Sequence, residues 1–404
     1  MNGFRCIACN TEQGADFAGF VCPNCGGNLD ITYDYAAIES GFGGGAGMFR
    51  YVALLPCADP GAALPLTIGG TPLHRARRLG ATAGLDKVWM KDETGNPSAS
   101  IKDRASAVAL LRAAATGADT VAVASTGNAG SSTACLAAAM GLRAVVFVPE
   151  TAPPAKLTQA LAYGARVLAV RGSYDDAYDL CMHVCKERGW FNRSTGFNPF
   201  TREGKKTSSF EIWEQLGQVP DRVMVPTGDG NILSGAWKGW RDLQAAGLID
   251  RLPRIDCVQS QGSAAICRTV ERIRAGGPVT DWRSVHIDSV AASTVADSIS
   301  VDEPRDGLAA VRAVIESGGE AVAIPDDEIL AAIGELASTA GVFAEPAAAA
   351  PWAAAKRLVK EGRVGRGESV VLLITGNGLK DVAAVPVREP ERVDPSPDSV
   401  RALL

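Results

Sequence analysis

The alternation of short β-rich runs with longer helix-like runs constrains the fold of this chain more than any other feature. Strands separated by helices predict parallel sheets with helices on both faces, which is an α/β fold of doubly wound open sheets. We predict strands at 87–91, 120–124, 143–148, 166–170, 222–226, 255–259 and 370–375, and helices at 101–115, 129–140, 155–163, 174–188, 204–216 and 232–246.

Composition narrows the functional classes. The chain has 404 residues, of which 47% are hydrophobic and 21% are charged, as expected of a soluble protein with two or three domains. The formal net charge of -5 provides no general attraction to nucleic acid or to acidic membranes. No apolar run approaches the length of a membrane span, and the first residues lack the apolar core of a signal peptide. We therefore expect a cytoplasmic protein.

The first 30 residues are set apart by two cysteine pairs. Cys6 and Cys9 are separated by two residues, and Cys22 and Cys25 repeat this spacing twelve residues later. Two such pairs match a four-thiolate tetrahedral zinc site. Arg5 is the single basic residue of the segment, so we do not expect it to bind nucleic acid. We predict a structural zinc-ribbon-like segment.

A lysine lies at the start of one predicted helix. Lys102 follows a turn-rich segment and precedes a long alanine-rich run. The positive end of a helix dipole disfavours the charged form of a lysine at this position. A neutral amine suits a Schiff base with a carbonyl cofactor such as pyridoxal phosphate. The position alone also fits a solvated surface lysine, so the residues of other loops are needed to distinguish these two interpretations.

Two loops follow predicted strands, at the sheet edge where open α/β sheets bind ligands. After strand 120–124, the small residues of 125–127 allow backbone N–H groups to hold a carboxylate, and Asn128 can contact a ring hydroxyl. A routine helix N-cap is the alternative for this loop. After strand 222–226, the glycines and Asn of 227–232 predict a phosphate cradle made of backbone N–H groups.

The cradle matches neither a Walker loop nor the full dinucleotide pattern, so neither ATP nor NAD is indicated. Asp229 would repel a phosphate, and we expect its side chain to point away. A third loop begins at Thr375, at the end of strand 370–375. Its hydroxyl can pair with a cofactor ring nitrogen, and a neutral partner of this kind leaves the nitrogen mostly unprotonated.

Five motifs resemble the threonine synthase family, in the type with an N-terminal zinc-ribbon-like segment. They are NPSASIKDR (96–104), STGN (125–128), NPFTREGKKT (198–207), EPA (345–347) and TGNGLKD (375–381). The similarity runs in order from about residue 3 to residue 382. It implies a pyridoxal-phosphate enzyme of fold type II, the superfamily similar to tryptophan synthase β.

The resemblance implies a role for each matched residue. Lys102 resembles the Schiff-base lysine, Asn128 resembles the contact to the ring hydroxyl, and Thr375 resembles the partner of the pyridine nitrogen. The implied contacts to the cofactor phosphate are Gly228, Asp229, Gly230, Asn231 and Ile232. The implied contacts to the substrate are Ser100, Ser125, Thr126, Gly127, Arg202 and Lys206.

The resemblance also implies a reaction, in which O-phosphohomoserine and water become threonine and phosphate, and a homodimeric state. Lys102 would act as general acid and base. A second hypothesis keeps the cofactor but changes the reaction to β-elimination or β-replacement on serine, threonine or an O-phosphoserine-like substrate, as in a dehydratase or a cysteate synthase. A third hypothesis is a non-catalytic regulatory protein, and the lysine before Asp103-Arg104 argues against it.

Six positions depart from the residues that are usual in this family. Before Lys102, the usual Thr, Gly and Phe are replaced by Ser98, Ala99 and Ile101. Elsewhere, Ala129 takes the place of Thr, Thr201 of Arg and Asn377 of His, and Arg202 lies one residue beyond the usual arginine. These positions cluster where the substrate is implied to bind, which keeps the second hypothesis open.

The chain divides into five predicted segments. They are the zinc-ribbon-like segment at 1–30, a connector with the start of a large cofactor-binding domain at 31–104, a smaller mobile α/β domain at 105–220, the remainder of the large domain at 221–385, and a loosely ordered tail at 386–404.

Overall fold

The structure is a computed structural model that describes the chain except residues 39–41, 153, 386–388, 402 and 404, and except the side chains of residues 37, 155 and 156. The start of the predicted tail, at 386–388, therefore lies outside the described residues. The strands are β1 (Gly3–Cys6), β2 (Glu12–Gly14), β3 (Leu29–Thr32), β4 (Leu73–Arg75), β5 (Lys87–Asp92), β6 (Thr120–Ala124), β7 (Arg143–Pro149), β8 (Arg166–Val170), β9 (Phe191–Asn192), β10 (Arg222–Pro226), β11 (Arg254–Ser260), β12 (Ala321–Ile324) and β13 (Ser369–Ile374).

Helices cover both faces of the sheets. They are α1 (Arg77–Thr82), α2 (Lys102–Ala115), α3 (Asn128–Met140), α4 (Pro154–Ala162), α5 (Tyr174–Arg188), α6 (Phe200–Leu216), α7 (Asn231–Ala245), α8 (Ala265–Gly276), α9 (Gly307–Ser317), α10 (Asp326–Ala340), α11 (Pro346–Lys360) and α12 (Pro397–Arg401). No helix in the described part of the chain combines the length and the apolar character needed to cross a membrane.

The larger sheet has six strands in the order β12-β11-β10-β13-β5-β4. Its strands run parallel except for β4, which is antiparallel to β5. Every residue of β10 and β13 is buried. Uninterrupted burial is typical of parallel strands that are covered on both faces, and it explains why these runs are continuously apolar instead of alternating.

The smaller sheet has four parallel strands in the order β8-β7-β6-β9. Strand β6 is wholly buried, whereas the edge strand β8 is only partly covered. The strands of this sheet lie between Thr120 and Asn192, inside the predicted mobile domain. The limits of the five segments stay predictions.

The N-terminal segment forms a separate antiparallel sheet in the order β2-β1-β3. Phe4 of β1 is buried and contacts the ring edges of Phe17 and Phe200, with ring centroids 5.9 and 6.1 Å apart. Phe20 contacts Phe191 and Phe197 in the same manner. These aromatic contacts attach the segment to α6 and to the smaller sheet.

The predicted α/β class with parallel sheets is confirmed, and each of the seven predicted strands is present. Sequence reasoning missed β1, β2, β3, β4, β9 and β12, because runs of two to four residues are too short to show a period. The helix predicted at 204–216 begins earlier, at Phe200, since Pro199 already has helical dihedral angles at its N-cap.

The topology brings three loops together at one edge of the larger sheet, and a fourth loop from the smaller sheet lines the same cavity. Strands β5, β13 and β10 are neighbours, so the loops that follow their carboxyl ends lie side by side. The loop after β5 leads into α2, and the loop after β10 leads into α7. The loop after β6 arrives from the smaller sheet and leads into α3.

Candidate active site

Lys102 is the first residue of α2, as its sequence context predicts. Two backbone contacts fix the loop before it. The N–H of Ile101 donates to the carbonyl of Thr375 at 2.9 Å, and the N–H of Asn377 donates to the carbonyl of Ala99 at 3.1 Å. The lysine loop is therefore held by the loop after β13.

This loop contains a strained residue. Ala99 has a φ of 63°, in the left-handed region that favours glycine. Asp103 is buried and accepts hydrogen bonds from the backbone N–H of Ser98 at 2.6 Å and from its hydroxyl at 2.5 Å. The carboxylate thus closes the turn that places Lys102.

Burial lowers the pKa of the Lys102 amine, and the nearby Arg193 lowers it further. The carboxylates of Asp229 and Glu345 oppose this shift. A lysine with a lowered pKa holds more of its neutral form at neutral pH. This is the form that attacks a carbonyl carbon.

A cavity of about 440 Å³ opens in front of Lys102. Its wall brings together several of the predicted site residues, namely Lys102, Ser125, Thr126, Gly127, Asn128 and Asp229. Tyr174 and Tyr178 of α5 line another part of the wall, and the segment 297–303 lines a third part. The cavity therefore lies between elements of both sheets.

The loop 125–128 lines the cavity at the start of α3. The N–H of Gly127 donates to the Ser125 hydroxyl at 3.2 Å, and α3 has no side-chain cap. Among the described contacts, the N–H groups of Thr126, Asn128 and Ala129 have no protein acceptor. Free N–H groups at the amino end of a helix can hold a carboxylate.

Asn128 has a partner that the sequence pattern does not reveal. Its side-chain amide donates to both carboxylate oxygens of Glu345, at 2.9 and 3.0 Å, and to the hydroxyl of Ser298 at 3.1 Å. Burial raises the pKa of Glu345, and the hydrogen bond from Asn128 opposes this rise. A side chain at Gly376 would lie 2.5 Å from the Glu345 carboxyl carbon, so only glycine fits there.

The loop 228–231 has the close backbone packing that a cradle requires. Gly230 has a φ of 96°, and a Cβ atom there would lie 2.7 Å from the carbonyl oxygen of Asp306. Within the described part of the chain, the N–H groups of Gly228, Asp229 and Gly230 donate to no protein acceptor. Free backbone donors before a helix are groups that can hold a phosphate. Ile232 follows them in the first turn of α7 and is buried.

The expected outward direction of Asp229 is not observed. This residue is half-buried on the cavity wall, and its carboxylate accepts the N–H of Asn231 at 3.1 Å. Its negative charge raises the pKa of Lys102. Asp229 is placed as a counterion for the cations around it, which explains its inward position.

Two of those cations are buried and were missed by sequence reasoning. Lys205 donates to the side-chain oxygen of Asn231. Arg193 donates to the hydroxyls of Ser106 and Thr195, at 3.1 and 2.9 Å. Neither has a carboxylate within 4.0 Å among the described residues. Their positions depend on tertiary packing, and no local motif marks them.

The structure does not bring Arg202 and Lys206 to the cavity of Lys102. Arg202 is buried and pairs with Asp306, and with Asp30 at 2.6 Å. Lys206 is buried and pairs with Glu203 and Asp242, both at 2.6 Å. Since both charges are satisfied by internal carboxylates, we leave these two residues out of the substrate site.

Thr375 and Ser100 lie beside the lysine loop. Thr375 is buried, and its carbonyl holds the N–H of Ile101. The hydroxyl of Ser100 is buried and has no hydrogen-bond partner among the described residues. An unsatisfied buried hydroxyl next to Lys102 is a candidate contact for a bound group.

The four N-terminal cysteines form one cluster, with sulfur atoms within 4.8 Å of one another. The Cys9–Cys22 and Cys9–Cys25 sulfur distances are 3.6 and 3.4 Å. A tetrahedral site with zinc–sulfur bonds of about 2.3 Å has sulfur atoms about 3.8 Å apart. The residue after each pair, Asn10 or Gly26, has a positive φ that turns the chain around the cluster. The cluster is compatible with zinc.

Comparison with known proteins agrees with this geometry. Residues 64–376 match the family described as pyridoxal-phosphate dependent enzyme. The chain belongs to this family. Its relatives along almost the whole chain are pyridoxal-phosphate dependent enzymes that are named threonine synthase. That of Methanocaldococcus jannaschii is 37% identical over 386 residues, which cover 93% of this chain and 92% of that protein.

Two further relatives have the same name. The threonine synthase of Methanosarcina acetivorans is 36% identical over 415 residues, which cover 100% of this chain and 99% of that protein. The threonine synthase of Mycobacterium bovis is 35% identical and covers 84% of this chain and 91% of that protein. Within the pyridoxal-phosphate dependent enzymes, this chain is a lyase of the threonine synthase type.

Solved structures show the same fold. Threonine deaminase isoform 2 from Solanum lycopersicum aligns with a TM-score of 0.66 at 22% identity, over 83% of this chain and 87% of that chain. An O-ureido-L-serine synthase aligns with a TM-score of 0.65 at 22% identity, over 83% of this chain and 97% of that chain. At these identities the likeness concerns the fold alone, which is fold type II of the pyridoxal-phosphate dependent enzymes.

The residues of the site fit pyridoxal phosphate. Free N–H groups at 228–230 suit its phosphate, and Lys102 has the lowered pKa that attachment of its aldehyde requires. The unpaired hydroxyl of Ser100 and the buried cations Lys205 and Arg193 also indicate a polar, anionic occupant.

Proposed function

We propose that this protein converts O-phosphohomoserine and water into threonine and phosphate. The observation that carries the proposal is Lys102, a half-buried lysine with a lowered pKa at the head of α2, in a chain whose relatives are named threonine synthase. Pyridoxal phosphate, when attached to Lys102, supplies the electron sink that stabilises negative charge on substrate carbon atoms.

Lys102 has two tasks in this proposal. Its amine would hold the cofactor, and it would be free to exchange protons once the amino group of the substrate had taken its place. Burial lowers the pKa of this amine, which favours the neutral form that can accept a proton. It can therefore take the proton from the α-carbon of the substrate and return protons at the neighbouring carbon atoms. One group can serve both as base and as acid because it stays beside the reacting carbon atoms.

The remaining site residues position the reactants. We propose that the free N–H groups of Thr126, Asn128 and Ala129 bind the substrate carboxylate, together with the hydroxyls of Ser100 and Ser125. The loop from Gly228 to Ile232 would bind the cofactor phosphate.

Two polar side chains are proposed to contact the cofactor ring. Asn128, which Glu345 holds by two hydrogen bonds, would orient the ring hydroxyl. Thr375, which directly follows β13, would contact the ring nitrogen.

A second candidate function is favoured by the charge of the cavity. The described residues of its wall include the acidic residues Asp175, Asp229, Asp297, Asp302 and Glu303, whereas its cations are Lys102 and Arg305. An acidic wall disfavours a substrate with a doubly charged phosphate. It would suit β-elimination or β-replacement on serine or threonine.

A substrate panel separates the two candidate functions. The cofactor-loaded protein is mixed with O-phosphohomoserine, L-serine, L-threonine or O-phosphoserine, and threonine, phosphate and keto acids are assayed. The first proposal requires threonine and phosphate in equal amounts from O-phosphohomoserine. If serine or threonine yields a keto acid and O-phosphohomoserine is not turned over, the first proposal is wrong and the second candidate function is supported.

We also propose that Cys6, Cys9, Cys22 and Cys25 bind one zinc ion with a structural role, since four thiolates leave no open position for a substrate. A homodimer and a cytoplasmic location stay predictions. Sedimentation analysis of the purified protein tests the dimer, because a single species at the monomer mass would exclude it.

A further inference from the structure

Lys205 is a buried lysine without a counterion. Its side chain is fully buried in α6, and its ammonium group donates to the side-chain oxygen of Asn231, the first residue of α7. Its neighbour Lys206 is equally buried but pairs with the carboxylates of Glu203 and Asp242. Lys205 has no carboxylate within 4.0 Å in the described part of the chain, so its charge is not balanced by a direct ion pair.

A buried ammonium group without a paired anion is costly. Burial lowers the pKa of Lys205 well below its ordinary value, and the positive charges of Lys102 and Arg193 lower it further. Asp229 and Asp306 oppose the shift. Burial without a paired anion thus favours the neutral amine, and a bound anion would favour the uptake of a proton.

The neighbourhood of Lys205 would carry a surplus of positive charge if its amines were protonated. Arg193 is also buried and has no carboxylate within 4.0 Å among the residues that the structure describes, and burial lowers its pKa to about 10. Lys102, Lys205 and Arg193 thus surround Asp229, whose single carboxylate lies on the cavity wall. An anion with two negative charges would balance this group of cations.

The place for such an anion lies next to Asn231. The free N–H groups of Gly228, Asp229 and Gly230 directly precede it in the chain. Lys205 thus reaches the residue at the end of the cradle, on the side formed by α6. The unpaired lysine is a second observation, independent of the loop, that indicates an anion at this helix end.

We propose that Lys205 supplies the positive charge of the phosphate-monoester site at 228–231, and that it takes up a proton when the phosphate of the cofactor binds there. The inference rests on the cofactor of the proposed function and goes beyond it, because it assigns a charged partner to a loop of neutral N–H groups. Lys205 is a positioning residue in this account, since its recorded contact to the loop is through Asn231.

Two neutral replacements separate charge from structure. Lys205→Met removes both the charge and the hydrogen bond to Asn231. Lys205→Gln removes the charge but keeps a side-chain N–H that can donate to Asn231. If the charge of Lys205 favours phosphate binding, both variants should lose phosphate binding to the same extent. If Lys205 only holds Asn231 in place, the glutamine variant behaves like the wild type.

Binding of pyridoxal phosphate and of pyridoxal, which lacks the phosphate, is measured by titrating the full-length cofactor-free protein at pH 7.5. Both compounds have the aldehyde that Lys102 requires, so their ratio of dissociation constants isolates the phosphate. We expect both variants to lower the preference for pyridoxal phosphate at least about tenfold, and pyridoxal to bind about as in the wild type. Equal losses for both compounds, or an unchanged preference, would overturn the proposal.

The pH dependence provides a readout that a structural role would not move. Because a proton is taken up with the phosphate, the wild type should lose its preference for pyridoxal phosphate as pH rises from 7.5 to 9.5. The two variants should show a flat ratio over the same range. A slope that persists in Lys205→Met would contradict proton uptake by Lys205.

The phosphate of a substrate is the other possible source of the anion. In that case the KM for O-phosphohomoserine would rise in the cofactor-saturated variants while the preference for pyridoxal phosphate over pyridoxal stayed unchanged, and this pattern refutes the proposal. The binding ratio needs no turnover. If threonine is not formed but the ratio falls, the proposed function fails and the role of Lys205 stands.

Discussion

The side-chain amide of Asn128 donates to both carboxylate oxygens of Glu345, at 2.9 and 3.0 Å. Asn128 begins α3, after strand β6 of the smaller sheet, whereas Glu345 is the N-cap of α11, which packs against the larger sheet. This contact joins the two sheets at the cavity. It also satisfies a buried carboxylate that would otherwise rely on Ser298.

Asn128→Ala removes this donor from a buried carboxylate. We expect the free energy of unfolding of the cofactor-free protein to fall by about 1–3 kcal/mol at pH 8. Burial already raises the pKa of Glu345 above its unfolded value, and loss of the donor raises it further. An acid with a raised folded-state pKa costs stability as pH rises through that pKa, so the loss at pH 5 should be smaller than at pH 8.

Urea unfolding at the two pH values measures this effect. Thr133→Ala serves as a control, because Thr133 is a buried hydroxyl of the same helix that bonds to the carbonyl of Ala129 and not to a carboxylate. Its loss of stability should not depend on pH. An equal loss at both pH values in Asn128→Ala would exclude the assigned role of Glu345.

Ala99→Gly should stabilise the protein. Ala99 has a φ of 63°, where alanine is strained and glycine is not. We expect a gain of about 0.5–1 kcal/mol, seen as a higher melting temperature. Ala114→Gly is the matched control, since Ala114 is exposed within α2 and the same change there should cost about 1 kcal/mol. A loss of stability in both variants would show that Ala99 is not strained.

Cys9→Ser should remove a ligand from the zinc site. We expect about one zinc ion per chain in the wild type and a large loss of metal in the variant, measured by elemental analysis. Cys57→Ser is the control, because Cys57 lies outside the four-cysteine cluster. The melting temperature should fall only for Cys9→Ser. Equal metal content in both variants would refute the site.

Arg202→Gln tests whether this arginine is structural. Arg202 is buried between Asp30 and Asp306, so we expect the free energy of unfolding to fall by about 3–5 kcal/mol. The KM for O-phosphohomoserine of the folded, cofactor-loaded fraction should stay within about twofold. Arg241→Gln, which alters an exposed arginine, should change stability by less than about 0.5 kcal/mol. A rise in KM with little loss of stability would indicate instead that Arg202 contacts the substrate.

The features that the sequence predicts well are local. The spacing of Cys6, Cys9, Cys22 and Cys25 already requires them to form a cluster once the two turns close. The neighbourhood of the loops after β5, β10 and β13 follows from strand order, because the carboxyl ends of parallel strands in one sheet share one edge. Lys102 belongs to this group, since its place before an alanine-rich helix is readable from the chain.

The features that sequence reasoning missed depend on helix phase and on distant partners. Helix α6 starts at Phe200, and residues four apart share a face. Thr201 and Lys205 therefore both turn towards Asn231. Arg202 and Lys206 each lie one residue further along the helix. This rotates their side chains by about 100°, away from Asn231 and towards carboxylates.

Sequence reasoning placed Glu345 in a motif but missed its contact with Asn128, for a different reason. An acidic residue before Pro346 resembles an ordinary helix start. Its role is visible only through Asn128, which lies 217 positions away in the chain. A contact at such a separation is decided by how the two sheets pack, and no local pattern encodes it.

The central claim is that Lys102 holds the cofactor. The cofactor-loaded protein is reduced with borohydride, which fixes the cofactor to the amine that carries it, and the peptides are analysed by mass spectrometry. We expect the added mass on Lys102, and no added mass in Lys102→Ala. Added mass on Lys205 or on another lysine, or none in the wild type, would contradict the account.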